Sequence, residues 1–380
     1  MPIGRRAFLK FCSLAGSLLA LPQASRALLP DRLSMAERLP VIWLSLQECT
    51  GCTEAFTRAH TPSLEKLILD FISLDYHHTL QAASGVAAER ARIDSARRNA
   101  GDYLLVVDGS IALGMDGACS TIAGETNLSM LHEMTRSAAA VMAIGSCAAF
   151  GGLPAASPNP TGATGVADLM LNGAIAAKPL INLPGCPPLP LAISSTLAHL
   201  IAFGDFPALD DHFRPLAIYG KTVHERCPRY AHYIREEFAG AFDDEGARKG
   251  WCLFKLGCKG PVTHNACATL LWNDGTSFPV ASGHPCIGCS EPGFWDRGPL
   301  YTDLDRLIAA SGSGAEDGRL LYEDNCIYCH SSDASDLATA ADDLPAVFTE
   351  KRVRAHGRFA FSTGELQALA EYVGKLRRTP

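Results

Sequence analysis

The chemistry of this chain is written in its cysteines. Nine of the fourteen fall in short motifs, most of them framed by glycine or proline. In order these are Cys49-Thr50-Gly51-Cys52, Gly145-Ser146-Cys147, Pro184-Gly185-Cys186-Pro187-Pro188, His224-Glu225-Arg226-Cys227, the singles Cys252, Cys258 and Cys267, Pro285-Cys286-Ile287-Gly288-Cys289, and Cys326-Ile327-Tyr328-Cys329-His330. Thiolates in such numbers bind soft metals and iron-sulfur clusters, and glycine beside them lets the backbone approach without a Cβ. The last motif is a Cys-x-x-Cys-His haem-attachment sequence. There Cys326 and Cys329 form the thioethers and His330 is the proximal iron ligand.

Two other uses of cysteine compete with this reading. A disulfide framework serves small exported domains that cannot build a core, whereas this chain has 380 residues and is 47% hydrophobic, enough for a core of its own. A zinc site takes four ligands, normally as two close pairs, and one pair plus two distant singles fits it less well. The formal net charge of -7 without a basic run argues against nucleic acid as a partner.

Gly4-Arg5-Arg6-Ala7-Phe8-Leu9-Lys10, an apolar stretch to Leu21 and a small-residue site near Ser25-Arg26-Ala27 have the shape of a bacterial export signal. The paired arginines point to the twin-arginine route, which carries folded, cofactor-loaded proteins. Residues 1–27 are therefore expected to stand outside the fold, Cys12 with them, and the mature protein is expected in the periplasm, soluble or peripherally bound to the membrane. A membrane anchor is the competing reading, although a span needs about 20 apolar residues.

The elements that must position the motifs follow from the apolar pattern. Strands are expected at 41–46, 71–74, 103–108, 139–144 and 179–183, with helical stretches at 63–69, 87–99 and 126–137. Alternating strands and helices predict an α/β domain with a parallel sheet covered on both faces, over residues 38–204. Cys49, Cys52, Cys147 and Cys186 all lie just past strand C-termini, the edge where open parallel sheets bind ligands. From 205 to 300 the rhythm fades and Gly, Pro and Cys dominate, so this segment is expected to fold around its clusters. Residues 308–317 read as a linker, and 318–380 as a small all-α cytochrome c-like unit. Every methionine lies at or before Met170, so the sixth haem ligand is not methionine. His356 is the one other histidine of that unit and the candidate, with a surface role as the alternative.

Taken together, Cys-Thr-Gly-Cys, Gly-Ser-Cys-Ala, Pro-Gly-Cys-Pro-Pro, His-x-x-Cys and Gly-His-Pro-Cys-x-Gly-Cys-Ser-Glu-Pro-x-Phe-Trp resemble the small subunit of [NiFe] hydrogenases over roughly residues 40 to 300. The resemblance implies a flavodoxin-like domain with a proximal [4Fe-4S] cluster on Cys49, Cys52, Cys147 and Cys186. It implies a distal [4Fe-4S] cluster on His224, Cys227, Cys252 and Cys258, and a medial [3Fe-4S] cluster on Cys267, Cys286 and Cys289. Pro279 corresponds to a position where some relatives carry a fourth cysteine. Oxygen-tolerant relatives carry two extra cysteines at positions that correspond to Gly51 and Gly152, which implies an ordinary cubane and oxygen-sensitive activity here. Glu54 is a candidate for proton transfer, with a helix-dipole role as the alternative. No residue of this chain is expected to be catalytic, because hydrogen chemistry in the family occurs on a separate large subunit. The implied function is hydrogen uptake, with electrons passing through the three clusters to the C-terminal haem c and on to a c-type or membrane cytochrome. The alternative is a multi-cluster respiratory carrier without hydrogenase activity.

Overall fold

The computed structural model describes residues 5–60, 62–273, 275–296, Tyr322 and 363–376. The chain divides into two compact units, Met1–Tyr301 and Thr302–Pro380. Cys326, Cys329, His330 and His356 lie outside the described residues, as does the expected linker.

In the first unit five strands form one parallel sheet: β1 (Leu39–Ser45), β2 (Ile72–His77), β3 (Leu104–Asp108), β4 (Ala140–Ile144) and β5 (Leu180–Leu183), in the order 2-1-3-4-5. This is the doubly wound order whose ligands sit beyond the strand C-termini. β3, β4 and β5 are buried along their whole length, which is why they read as continuous apolar runs rather than alternating ones. Alternate residues feed two cores. Val41, Trp43, Leu104, Val106, Met142 and Ile181 enter one, and Ile42, Leu44, Leu105, Val107, Val141 and Leu180 the other.

The helices that matter to the site are α1 (Arg5–Leu18), α2 (Gln23–Met35), α3 (Gly51–Thr57), α4 (Gly85–Arg98), α5 (Asn127–Ser137), α6 (Gly145–Phe150) and α7 (Pro190–Phe203). Thr126 caps α5 by accepting from the Ser129 N–H at 3.2 Å, the interaction that gives a threonine its place before a helix. α7 starts on Pro190 and ends at Gly204 in the left-handed region, the usual proline-in, glycine-out asymmetry. Among the described residues no helix is long and apolar enough to cross a membrane.

Residues 5–35 pack on the first core, where Phe11, Cys12, Ala15, Leu29 and Leu33 are buried. The spacing of Phe8, Phe11 and Ala15 makes one apolar stripe of α1, and Phe8 and Phe11 meet Phe71 with ring centroids 6.2 and 6.1 Å apart. Arg32 of α2 donates to the Ala202 carbonyl of α7 at 3.2 Å. Arg6 and Lys10 stay exposed.

Past α7 the regular elements shorten to single turns, Leu216–Tyr219, Tyr230–Ile234, Glu245–Arg248 and Cys267–Leu270. Residues 205–296 are not a separate unit: Ile218, Cys267, Phe278, Val280 and Cys286 share the core of Ile181 and Leu183 in β5. In the second unit the helix Thr363–Leu376 buries Leu366, Leu369 and Val373 on one face.

Candidate functional site

Ser45, Asp108, Ile144 and Leu183 are in register at the C-terminal edge of the sheet. The chain after β1 turns through Thr50 at φ 66 into α3, and the chain after β4 turns through Gly145 at φ +82 into α6. These two turns and the Gly185-Cys186 turn after β5 bring Cys49, Cys52, Cys147 and Cys186 together. Cys147 is pushed up to about 12, first by burial and then by the negative charge of Cys186 and Cys49. Cys52 is raised by burial, by Asp108, and by Cys147 and Cys186. Cys52, Cys147 and Cys186, raised by burial and by their neighbours, need cationic metal to hold them as thiolates, and metal binding releases their protons. A Cβ on Gly51 would stand 3.2 Å from Cys49 Sγ, and one on Gly152 2.5 Å from Cys147 Sγ. Both glycines therefore flank this ring.

A second group comes from the irregular segment. His224, Cys227, Cys252 and Cys258 line a small pocket together with Val223, Tyr230 and Val280. The His224 ring is fixed by the edges of Tyr230 and Tyr233, with centroids 5.0 and 4.5 Å away. Burial holds its pKa below the usual histidine value, so the imidazole is neutral and able to ligate. Burial likewise raises Cys252 to about 11.

The third group, Cys267, Cys286 and Cys289, lines a cavity of about 300 Å3 with Pro279 and, from the sheet edge, Cys186. Asn265 Oδ1 accepts from the Cys267 N–H at 2.9 Å. Burial pushes Cys267 and Cys289 up to about 12 and raises Cys286 as well. Among the described residues no three donors close on a single-ion point; they surround cavities, and a thiolate-rich cavity fits an iron-sulfur cluster.

The cavities adjoin. Cys186 belongs to the first ring and lines the third group's cavity, while Val223 and Val280 line both that cavity and the one at His224. The Cys286 N–H donates to Cys258 Sγ at 3.4 Å. Every sequence-predicted iron-sulfur ligand thus falls in one of three neighbouring groups. Glu54 sits in the first turn of α3, exposed, with its carboxylate 2.5 Å from Arg58, which holds it below the usual carboxylate range. Cys119 is half-buried and joins none of the three groups.

Asp108 is a site residue that the motifs did not reveal, and its signal was a carboxylate ending an apolar strand. It is 1% exposed, accepts from Thr53 Oγ1 at 3.3 Å and lies beside Cys52. Burial, against hydrogen bonds from Cys52 and Thr53, raises it to about 7. Its folded-state pKa exceeds the unfolded 3.8, so its stabilising contribution is present below pH 3.8 and is lost as pH rises to 7. Asp108→Asn removes that loss. Relative to wild type, the purified variant should gain stability as pH rises from about 4 to about 7, read from unfolding midpoints; a pH-independent difference would contradict the assignment.

Comparison with known proteins agrees with this geometry. The family model for the C-terminal part of the NiFe/NiFeSe hydrogenase small subunit matches residues 219–302, and the model "NADH ubiquinone oxidoreductase, 20 Kd subunit" matches residues 49–200. The uptake hydrogenase small subunit of Afipia carboxidovorans is 44% identical over 305 residues, 80% of this chain and 82% of its own length. The hydrogenase-1 small chain of Escherichia coli K12 is 43% identical over 300 residues, 79% of each chain. A crystal structure of the reduced, active Ni-Fe-Se hydrogenase from Desulfomicrobium baculatum superposes with a TM-score of 0.66 at 34% identity, covering 70% of this chain and 100% of that one. With identity above two fifths across four fifths of the length, this chain belongs to the small-subunit family of NiFe hydrogenases, whose catalytic Ni-Fe site lies on the separate large subunit.

Proposed function

We propose that this chain carries electrons away from a large subunit that oxidises hydrogen. Cys49, Cys52, Cys147 and Cys186 hold a proximal [4Fe-4S] cluster, Cys267, Cys286 and Cys289 a medial [3Fe-4S] cluster, and His224, Cys227, Cys252 and Cys258 a distal [4Fe-4S] cluster. In the C-terminal unit Cys326 and Cys329 bind haem c, with His330 and His356 as axial ligands, and a c-type or membrane cytochrome is the acceptor. When bound, these groups supply reversible one-electron carriage.

The chain's own residues ligate the groups, bury them and hold them adjacent. The observation that carries the reading is the continuity of the three ligand groups, through Cys186 on one side and Val223 and Val280 on the other. The pairing of residues 5–35 with a folded core is compatible with twin-arginine export of the loaded protein to the periplasm, since that route carries folded cargo. Gly51 and Gly152 beside the proximal thiols leave an ordinary cubane, and with it oxygen-sensitive activity. Glu54 remains a proton-transfer candidate at the interface with the large subunit.

The alternative, a respiratory carrier without hydrogen chemistry, draws support from the family match over residues 49–200. The match over 219–302, which contains the distal and medial ligands, favours the hydrogenase reading. Electron paramagnetic resonance of the anaerobically purified, then oxidised, complex tests it. A three-iron signal lost in Cys267→Ser is expected, in a sample that contains nickel. A sample with neither nickel nor a three-iron signal would overturn the proposal.

A further inference from the structure

Thr263 is 1% exposed and lines the cavity of the third cysteine group. Its backbone is fixed on both sides: the Thr263 N–H donates to the Gly260 carbonyl at 3.4 Å, and the Thr263 carbonyl accepts from the Val223 N–H at 2.7 Å. Its hydroxyl has two neighbours. It donates to the Lys259 carbonyl at 2.6 Å and accepts from the Cys286 thiol, with Oγ1 and Sγ 3.5 Å apart. Cys286 is held on its other polar groups as well, because the Lys259 N–H donates to the Cys286 carbonyl at 2.7 Å and the Cys286 N–H donates to Cys258 Sγ at 3.4 Å. The turn from Cys258 to Thr263 therefore grips Cys286 at its N–H, its carbonyl and its sulfur.

A cysteine that ligates iron is a thiolate and has no proton to give. In the loaded protein the Thr263 contact then persists only if the hydroxyl turns its own proton toward the sulfur, and a hydroxyl has a single proton to place. An ionised acceptor makes the stronger hydrogen bond, which favours the sulfur over the Lys259 carbonyl. That carbonyl is not orphaned by the turn, because it keeps the Val262 N–H at 3.2 Å. We propose that the Thr263 hydroxyl donates to the Cys286 sulfur in the loaded protein and thereby raises the medial reduction potential. The inference rests on the medial cluster assignment above. Reduction adds negative charge, a donor aimed at a ligand sulfur stabilises that charge, and hydrogen bonds to sulfur are among the levers that set cluster potentials.

The test uses the whole complex, with Thr263→Val and Thr263→Ser compared with wild type by redox titration monitored by electron paramagnetic resonance, alongside iron analysis. Valine keeps the shape of the side chain and loses the hydroxyl, whereas serine keeps the hydroxyl. The expected result is full iron content and a medial potential lowered in Thr263→Val by the equivalent of about tenfold in the reduction equilibrium, about 59 mV for a one-electron couple. Thr263→Ser should stay at the wild-type value, and the proximal site should not move in either variant. An unchanged medial potential in the valine variant overturns the proposal. So does a serine variant displaced as far as valine, or a valine variant that loses iron, because each assigns Thr263 to packing or to nothing. A wild-type complex without any medial iron-sulfur signal would instead sink the cluster assignment, and this inference with it.

Discussion

Gly145→Ala is expected to empty the proximal site while leaving the rest of the chain folded. Gly145 has φ +82, and a Cβ built there collides with Cys52 Sγ. Cys52 cannot step aside, because it is buried in α3 between Phe56 and the sheet edge. The left-handed backbone alone costs an L-residue about 1–2 kcal/mol, which a core of this size tolerates; the clash with a ligand sulfur is the larger effect. Loss of a group that orients a metal ligand typically weakens binding roughly 10- to 100-fold, and a direct clash with the ligand atom should reach the upper end, about 100-fold. The measurement is iron content and hydrogen-driven dye reduction in the purified complex. Gly250→Ala is the control: it has φ +74 with nothing within 4 Å of the added Cβ, so it carries the backbone strain without the clash and should keep its clusters. Equal behaviour of the two variants would show that strain, not the approach to Cys52, explains the glycine.

Arg214→Met should be the most destabilising single change near the medial site. The guanidinium is 4% exposed, and it donates to Asp210 Oδ2 at 2.8 Å, to the Ser290 carbonyl at 3.0 Å and to Glu291 Oε1 at 3.2 Å. Glu291 in turn accepts from the His264 N–H at 2.5 Å. Burial raises the Glu291 carboxyl, but the His264 bonds and the Arg214 charge outweigh it and hold the group below its usual range. This bracing fixes the loop of Cys286 and Cys289 against the segment leading to Cys267. Breaking a buried pair by removing one partner leaves an uncompensated charge and costs about 3–5 kcal/mol. The thermal midpoint of the complex should fall accordingly, with loss of medial iron. Arg214→Met combined with Glu291→Met removes the Arg214–Glu291 pair and should recover part of the stability, the Asp210 carboxylate staying held by the His212 and Arg214 N–H groups. A double variant no better than the single one would contradict this account of the pair.

Much of the fold was legible because its signals are local. β3, β4 and β5 are short apolar runs bounded by turn residues, and their limits differ by a single residue between sequence and structure. β2 was harder: it runs on through Asp75, Tyr76 and His77, and the helical stretch before it passes into a π-helical turn at Leu67–Phe71. The candidate ligands stood out for a different reason, since Cys and His in Gly/Pro frames carry their chemistry in their identity. What the sequence could not show was contact between distant segments. The Ser146 hydroxyl on Cys289 spans 143 residues and Arg214 on Glu291 spans 77. No periodicity reports such a bond. Residues 5–35 differ for the opposite reason. Their composition matches an export signal so well that the apolar stripe of α1 points to a membrane, when the same stripe also fits the groove beside Phe71 and α7.

The proposed function requires an unbroken electron path from a hydrogen-oxidising partner through three cluster sites to a C-terminal haem. It is tested most directly by an anaerobic visible spectrum of the purified chain with its copurifying partner, before and after hydrogen gas, with nickel measured in the same sample. Hydrogen alone is expected to bring up the reduced haem bands in a nickel-containing sample. Haem that dithionite reduces but hydrogen does not, in a sample loaded with nickel and iron, would contradict it.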